Sequence, residues 1–367
     1  MDANTTSTGG RIGDGSDADA LLTVEDLSVR FDGRDGPVDA VDGVSFALDR
    51  GETVCLVGES GSGKTATCEA ITGLVAEEGA SVTGRVTFDG RRLTELGPGE
   101  LREVRGDRIA HVFQDPEGAL DPVYTVGEQI VESIRYHRDV PKAEARERAI
   151  DLLDTVGIPE PAARVDDYPH EFSGGMKQRA LVALALSSDP DVLIADEPTT
   201  ALDVTIEAGI LDLFSRLQAE EGLGVLFVTH DFGVVAEVAD RVVVLYGGTV
   251  MERGPVSALF DRPAHPYTRA LLSCLPGRGD LDPIGGEPVD PRDPPEGCRF
   301  APRCAHATGA CRCGGQPPEY AVEGTNHRAA CVYYGPDHDR SELEEDGADD
   351  SGFEFGRDPA PSDGGER

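Results

Sequence analysis

Residues 52–74, ETVCLV-GESGSGKT-ATCEAITGL, constrain the fold more tightly than any other stretch of the chain. An apolar run, a glycine-rich loop and a helix-forming segment follow one another directly. Gly58, Gly63, Lys64 and Thr65 fit the G-x-x-x-x-G-K-[ST] phosphate loop. Glycines let the backbone aim successive N–H groups inward at phosphate, beside a helix N-terminus that favours anions. Lys64 adds charge at the β- and γ-phosphates, and the Thr65 hydroxyl can bind Mg²⁺. The residues expected around a nucleotide are therefore Gly58, Ser60, Gly61, Ser62, Gly63, Lys64 and Thr65, with Thr67 inside the helix.

The flanking chain predicts a sheet to carry this loop. LLTVEDLSVRF, DAVDGVSFALD, VTGRVTFDG, RIAHVF, DVLIAD, VLFVTH and RVVVLYGG read as strands, the first two antiparallel. VGEQIVESIRYHR, AEARERAIDLLDTVG and TIEAGILDLFSRLQAEE place apolar residues at helical spacing. Strands alternating with helices indicate an α/β protein with a parallel sheet and helices on its faces. The expected division is a disordered acidic tail over 1–20 and a nucleotide-binding domain over 21–260, with a helical subdomain at about 115–187. A small Pro/Gly-rich domain follows over 261–335, then a disordered acidic tail over 336–367.

Charge excludes some partners. The formal net charge of −36 over 367 residues argues against nucleic acid and anionic lipid, whose phosphates it would repel. Lys64, Lys142 and Lys177 are the only lysines, and acids are spread along the whole chain. That surface reads as adaptation to a high-salt, halophile cytoplasm, where screening removes the self-repulsion. No stretch approaches the roughly 20 apolar residues that span a bilayer, and the N-terminus lacks the apolar core of a signal peptide. A cytoplasmic product is expected, and there structural disulfides are rare.

Four further stretches carry chemistry. DVLIADEPTTALD ends an apolar strand in Asp196 and Glu197, a Mg²⁺-organising carboxylate and a second acid able to take a proton from an attacking water. In YPHEFSGGMKQR, Ser173, Gly174 and Gly175 precede a helix and form a second anion site. One nucleotide does not need two such sites, but a dimer in which each subunit closes over its partner's nucleotide uses both. VLFVTHDF puts His230 at a strand end. HVFQDP puts Gln114 where a strand leaves for the helical region, able to contact Mg²⁺ or water.

These five elements, in this order, resemble the ATP-binding cassette (ABC) ATPases over roughly residues 21–260. The resemblance implies a P-loop cassette: a RecA-like parallel sheet core, an antiparallel β subdomain and an inserted helical subdomain. It makes GESGSGKT the Walker A loop and LIADE the Walker B strand, with Glu197 the catalytic glutamate. FSGGM becomes the signature loop, Gln114 the Q-loop, Asp203 of TALD the D-loop and His230 the switch histidine. Phe31 falls where the family stacks adenine, or is a core strand residue. FSGGM departs from the commoner LSGGQ and, with VFQDPEGALDP, IADEPTTALDVT, THDFGVVAEVAD and HPYTRALL, resembles the oligopeptide/dipeptide importer branch, whose relatives include nickel importers. That branch implies ATP and Mg²⁺ as ligands, two integral-membrane permease subunits and a second ATPase, identical or related. An extracytoplasmic solute-binding protein acts indirectly, nucleic acid is no partner, and the chain sits on the cytoplasmic face of the membrane. A soluble cassette acting on DNA, ribosomes or Fe–S assembly is the rival class, opposed by the single cassette and the charge.

The C-terminal region holds Cys298, Cys304, Cys311, Cys313 and Cys331. Their spacing lacks the C-x₂₋₄-C knuckles usual for zinc and suits a cluster wrapped by loops. The importer branch carries a similar C-R-F-x-P-R-C tail, associated in some members with a [4Fe–4S] cluster, which implies Cys298, Cys304, Cys311 and Cys331 as ligands. Cys313 competes with Cys311 for the third position. A zinc site drawing on His306 or His327, and reduced or disulfide-linked thiols, are the alternatives.

Overall fold

The computed structural model describes residues 20–33, 36–77, 79–200, 202–275, 284–322 and 326–344. The expected N-terminal tail and the end of the C-terminal tail lie outside them.

Two sheets organise the molecule. β1 (Leu22–Gly33) and β2 (Gly36–Leu48) pair antiparallel from Leu22↔Leu48 to Gly33↔Gly36, as their alternation predicts. β4 (Ala80–Phe88) takes the other edge of β1 and β5 (Arg91–Arg92) follows it, in the order β2-β1-β4-β5. The second sheet runs β11 (Tyr320–Ala321), β12 (Arg328–Ala329), β10 (Thr249–Pro255), then five further strands. Its parallel centre is β6 (Ile109–Val112), β7 (Val192–Asp196), β8 (Gly224–Thr229), β3 (Thr53–Val57) and β9 (Arg241–Tyr246).

All five residues of β3 are buried because both faces of that strand are covered. Alternation divides them: Val54 and Leu56 join the core shared with the antiparallel sheet, Cys55 and Val57 the core shared with the helical region. Helices α1 (Lys64–Thr72), α2 (Leu74–Glu77) and α3 (Pro98–Val104) pack on the first side. Between β6 and β7 the chain forms α4 (Pro116–Ala119), α5 (Val126–His137), α6 (Lys142–Thr155), α7 (Pro161–Arg164) and α8 (Gly174–Leu186). Thr125 starts α5 with a capping box, its hydroxyl accepting from Glu128 N at 3.1 Å while the Glu128 carboxylate accepts from Thr125 N at 3.1 Å. Ile130 and Ile134 then bury against Ala145, Ala149 and Leu153 of α6.

After α9 (Val204–Glu221) and α10 (Phe232–Val238), β10 (Thr249–Pro255) turns back antiparallel on β9 and leads into α11 (Val256–Asp261) and α12 (Pro266–Ser273). The Pro/Gly-rich C-terminal region shares the core of its neighbour. β11 (Tyr320–Ala321) and β12 (Arg328–Ala329) extend the main sheet past β10, and Cys298, Phe300, Ala301 and Cys311 enter the main core. Residues 336–344, expected within the acidic tail, stay on the fold. They end in α13 (Ser341–Glu344), with Leu343 buried against Cys331 and Tyr333 and its carbonyl accepting from Arg269 Nη1 at 2.7 Å. Among the described residues no helix is long and apolar enough to cross a membrane.

Candidate nucleotide site and thiol cavity

The phosphate loop leaves β3 and enters α1 with Gly61 at φ 77° and Gly63 at φ 97°, both left-handed. A Cβ at Gly63 would lie 2.4 Å from the Ala40 carbonyl oxygen, so shape and space both require glycine there. Lys64 is buried. Its Nζ donates to the carbonyls of Gly58 at 2.8 Å and Glu59 at 3.0 Å and lies 4.0 Å from Glu197 Oε1. Burial lowers its pKa, against the opposing pull of Glu197 and Asp196. Thr67 ties α1 to the loop by donating to Gly63 O at 2.8 Å. Ser60, Gly61 and Thr65 remain exposed on the rim.

Asp196, at the end of β7, is buried, and burial raises its pKa while the Thr65 hydroxyl hydrogen-bonded to it acts the other way. Its Oδ1 and the Ser62 hydroxyl are buried with no hydrogen-bond partner. A buried carboxylate oxygen without a donor is costly, and a hard divalent cation is the ligand that satisfies it. The residues present thus fit Mg²⁺.

Glu197 is the hub. Its backbone takes φ 46° and its N–H donates to Val228 O at 3.0 Å, swinging the side chain out from the strand. Gln114 Nε2 and Thr200 Oγ1 each donate to Oε2 at 3.0 Å, while His230 Nδ1 lies 3.5 Å from Oε1. Gln114 and His230, far from Glu197 in sequence, thus join Thr200, three residues on, at one carboxylate. Gln114, expected on Mg²⁺ or water, here binds Glu197 instead. Thr200 escaped the sequence reading, although TT follows DEP directly.

The second anion site stands apart from this cluster. Ser173 caps α8, its hydroxyl accepting from Met176 N at 3.3 Å, and Gly174 opens the helix. Gly175 packs so closely on Ile206 that a Cβ would lie 2.5 Å from Ile206 Cγ2. Asp203 caps α9 by accepting from Ile206 N at 3.0 Å, which couples this loop to TALD. Phe31 pairs with Val38 on one side and Ala80 on the other, half-buried against the antiparallel core.

Cys298, Cys304, Cys311 and Cys331 line one cavity of about 10 Å³, together with His265. Cys313 faces away, exposed, donating to Gly309 O at 3.2 Å. Gly297, at φ 78°, lets the 298 and 311 segments meet. Cys298 N donates to Cys311 O at 2.9 Å, and a Cβ at Gly297 would strike that oxygen at 2.3 Å. His306 and His327 do not line the cavity. His327 Nε2 is committed to Glu252 Oε1 at 2.6 Å. The imidazole present is that of His265, whose Nδ1 accepts from Tyr267 N at 3.0 Å, leaving its proton on Nε2, 4.0 Å from the Cys298 sulfur. Burial pushes the Cys298 thiol up to about 11 and Cys331 to about 12. Among the described residues no three thiol, imidazole or carboxylate groups stand close enough to share one metal ion.

A phosphate loop between β3 and α1, an acidic strand end and a glutamate held by a glutamine and a histidine define a P-loop nucleotide hydrolase. The comparisons narrow this. The ABC transporter family model matches residues 41–200, and the oligopeptide/dipeptide transporter C-terminal region matches residues 251–311. The chain is 48% identical to the dipeptide transport ATP-binding protein DppD of Bacillus subtilis, over 79% of this chain and 88% of that one. It is 44% identical to DppD of Escherichia coli, over 86% and 97%. A dimeric ATP-binding cassette solved in a post-hydrolysis state with ADP and Pi superposes with a TM-score of 0.58 at 28% identity, over 64% of this chain and 99% of that one. The chain belongs to the ABC transporter family, and ATP hydrolysis is the activity of that cassette.

Proposed function

We infer that the chain is the ATP-hydrolysing subunit of an importer of di- or oligopeptides. The observation that carries the hydrolytic part is the Glu197 carboxylate, held at once by Gln114, Thr200 and His230 beside Lys64. The peptide assignment is supported by the C-terminal match and by the names of the relatives.

Thr65 and Asp196 would hold Mg²⁺, with Gln114 within the same cluster. The bound ion neutralises charge on the β- and γ-phosphate oxygens. Lys64, now satisfied by two loop carbonyls, can exchange them for phosphate oxygens without leaving its burial. Gln114 and Thr200 fix one Glu197 oxygen and leave Oε1 to take the proton as water attacks the γ-phosphorus and the bond to ADP breaks. His230 keeps that oxygen oriented. Ser173, Gly174, Gly175 and Asp203 act across a dimer, on the nucleotide of the second subunit. Phe31 offers its open face to adenine.

The helical region supplies the docking surface for a membrane subunit on the cytoplasmic face. Val123 is 70% exposed and Tyr124 52%, and nearby Phe113 is 47% exposed at the edge of a cavity of about 220 Å³. Affinity purification from detergent-solubilised membranes should recover two polytopic subunits. Recovery of soluble partners alone would overturn the importer reading.

The thiol cavity is read as a four-cysteine site for an iron–sulfur cluster, with Cys311 and not Cys313 as third ligand. Four thiols converging from loops in an apolar pocket fit such a group in number and chemistry. Anaerobically purified protein should be brown, with stoichiometric iron that Cys311→Ser removes and Cys313→Ser does not. Colourless protein containing zinc, or none, would contradict this.

A further inference from the structure

Of the two arginines of the CRFAPRC stretch, Arg303 reaches the phosphate loop and Arg299 reaches Gly247 and Asp42. Arg303 makes the direct contact with the phosphate loop. Its Nη1 and Nη2 bridge the two Glu59 carboxylate oxygens at 2.5 and 3.1 Å, and Glu59 is the second residue of the phosphate loop. Its remaining donors go to Gly285 O at 2.9 Å, Ile284 O at 3.1 Å and Tyr246 Oη at 3.2 Å, which fixes the guanidinium in one place. The Arg303 side chain is only 4% exposed.

Glu59 is gripped at every polar group. Its N–H donates to the buried Tyr267 hydroxyl at 3.0 Å, its carbonyl accepts from Lys64 Nζ at 3.0 Å, and its carboxylate holds Arg303. Two of those three partners come from beyond β10. Arg299 makes a parallel contact: Nη1 donates to Gly247 O at 2.7 Å and Nη2 to Asp42 at 2.6 Å. The adjoining Gly248 N–H donates to Ser62 O at 3.0 Å, again in the phosphate loop. The segment that begins at Cys298 and ends at Cys304 therefore touches the loop directly through Arg303 and Glu59, and indirectly through Arg299, Gly247 and the neighbouring Gly248.

We propose that Arg303 is a positioning residue for ATP, fixing the phosphate loop through Glu59. A bidentate guanidinium–carboxylate pair holds distance and angle together, which an ammonium cannot do. Its loss frees the entry to the loop, including the Glu59 carbonyl that holds Lys64, while leaving the Asp196 and Glu197 carboxylates in place. The defect therefore belongs to ATP binding and not to the chemical step.

The test is steady-state ATPase kinetics with ATP titration of the full chain, for wild type, Arg303→Ala, Arg303→Lys, Glu59→Gln and the double variant Glu59→Gln/Arg303→Ala. Arg303→Ala should raise both KM and Kd for ATP about tenfold, with kcat at saturation changed less than about twofold. Arg303→Lys should fall between it and wild type. The double variant should be no worse than Arg303→Ala alone, because both substitutions cut one contact. A purely structural arginine would lower the melting temperature and the active fraction without moving KM. Unchanged KM in folded Arg303→Ala, or additive single effects, would overturn the proposal. If Arg303→Ala does not fold, Glu59→Gln breaks the same pair from the loop side and decides the matter on its own. The inference rests on the ATPase reading, and wild type separates the two: an inactive wild type refutes that reading, whereas an active one with insensitive variants refutes only the brace.

Discussion

Replacing Glu197 with Gln is expected to cut ATP turnover about 1,000-fold while leaving ATP affinity close to that of the native chain. The amide keeps the size of the side chain and can still meet Thr200 and Gln114 after a flip, so the cluster stays assembled. It cannot accept the proton of the attacking water. Binding, by contrast, depends on Lys64, Thr65 and the loop N–H groups, of which only Lys64 loses a charge partner, at 4.0 Å, while keeping its two loop carbonyls. The variant should therefore accumulate ATP-bound dimer. Single-turnover hydrolysis together with nucleotide titration measures both halves. Turnover reduced less than about tenfold would remove Glu197 from the role of base.

Replacing Gly58 with Ala is expected to lower ATP affinity at least about 100-fold. The new methyl would lie 2.1 Å from the Leu245 carbonyl oxygen and 2.8 Å from the Ser62 hydroxyl. Leu245 belongs to β9, paired directly with β3, so its backbone cannot yield without disturbing the central sheet. The loop must move instead, carrying Glu59 and the partners of Lys64 with it. Overpacking of this kind also costs about 1–3 kcal/mol of stability. Gly61→Ala is the informative contrast. Gly61 has φ 77° but no atom within 4 Å of a Cβ, so only backbone strain of about 1–2 kcal/mol opposes the change. Melting curves and ATP titration of the two variants should separate widely. Equal effects would show that conformation, and not packing against Leu245, sets the requirement for glycine.

Most of the cassette was legible in the chain because its signals are local. A phosphate loop is eight consecutive residues, the acidic strand end two, and the α8 cap three, each marked by the strand or helix beside it. The strands themselves, the antiparallel pairing of β1 with β2 and the helical insertion follow from short-range periodicity, whereas the strand order of the main sheet does not. What stayed hidden depends on contacts across long separations. Arg303 and Glu59 are 244 positions apart, and nothing in CRFAPRC marks its arginines as partners of the phosphate loop. Cys311 and Cys313 are indistinguishable by spacing, and only the turn at Gly309–Arg312 aims one inward and the other outward. The C-terminal region shares the core and sheet of its neighbour, which composition alone cannot show. Composition likewise hides Leu343 in the tail, a single buried side chain amid acids.

The central claim is that this cassette spends ATP at Glu197 to drive peptide import. It is tested most directly by uptake of a labelled di- or oligopeptide into vesicles carrying the chain with its membrane subunits and binding protein. ATP supplied on the side of the cassette should drive uptake in the native complex and fail to do so with Glu197→Gln. Uptake that persists in the variant, or a native complex that hydrolyses ATP but moves no peptide, would contradict the account.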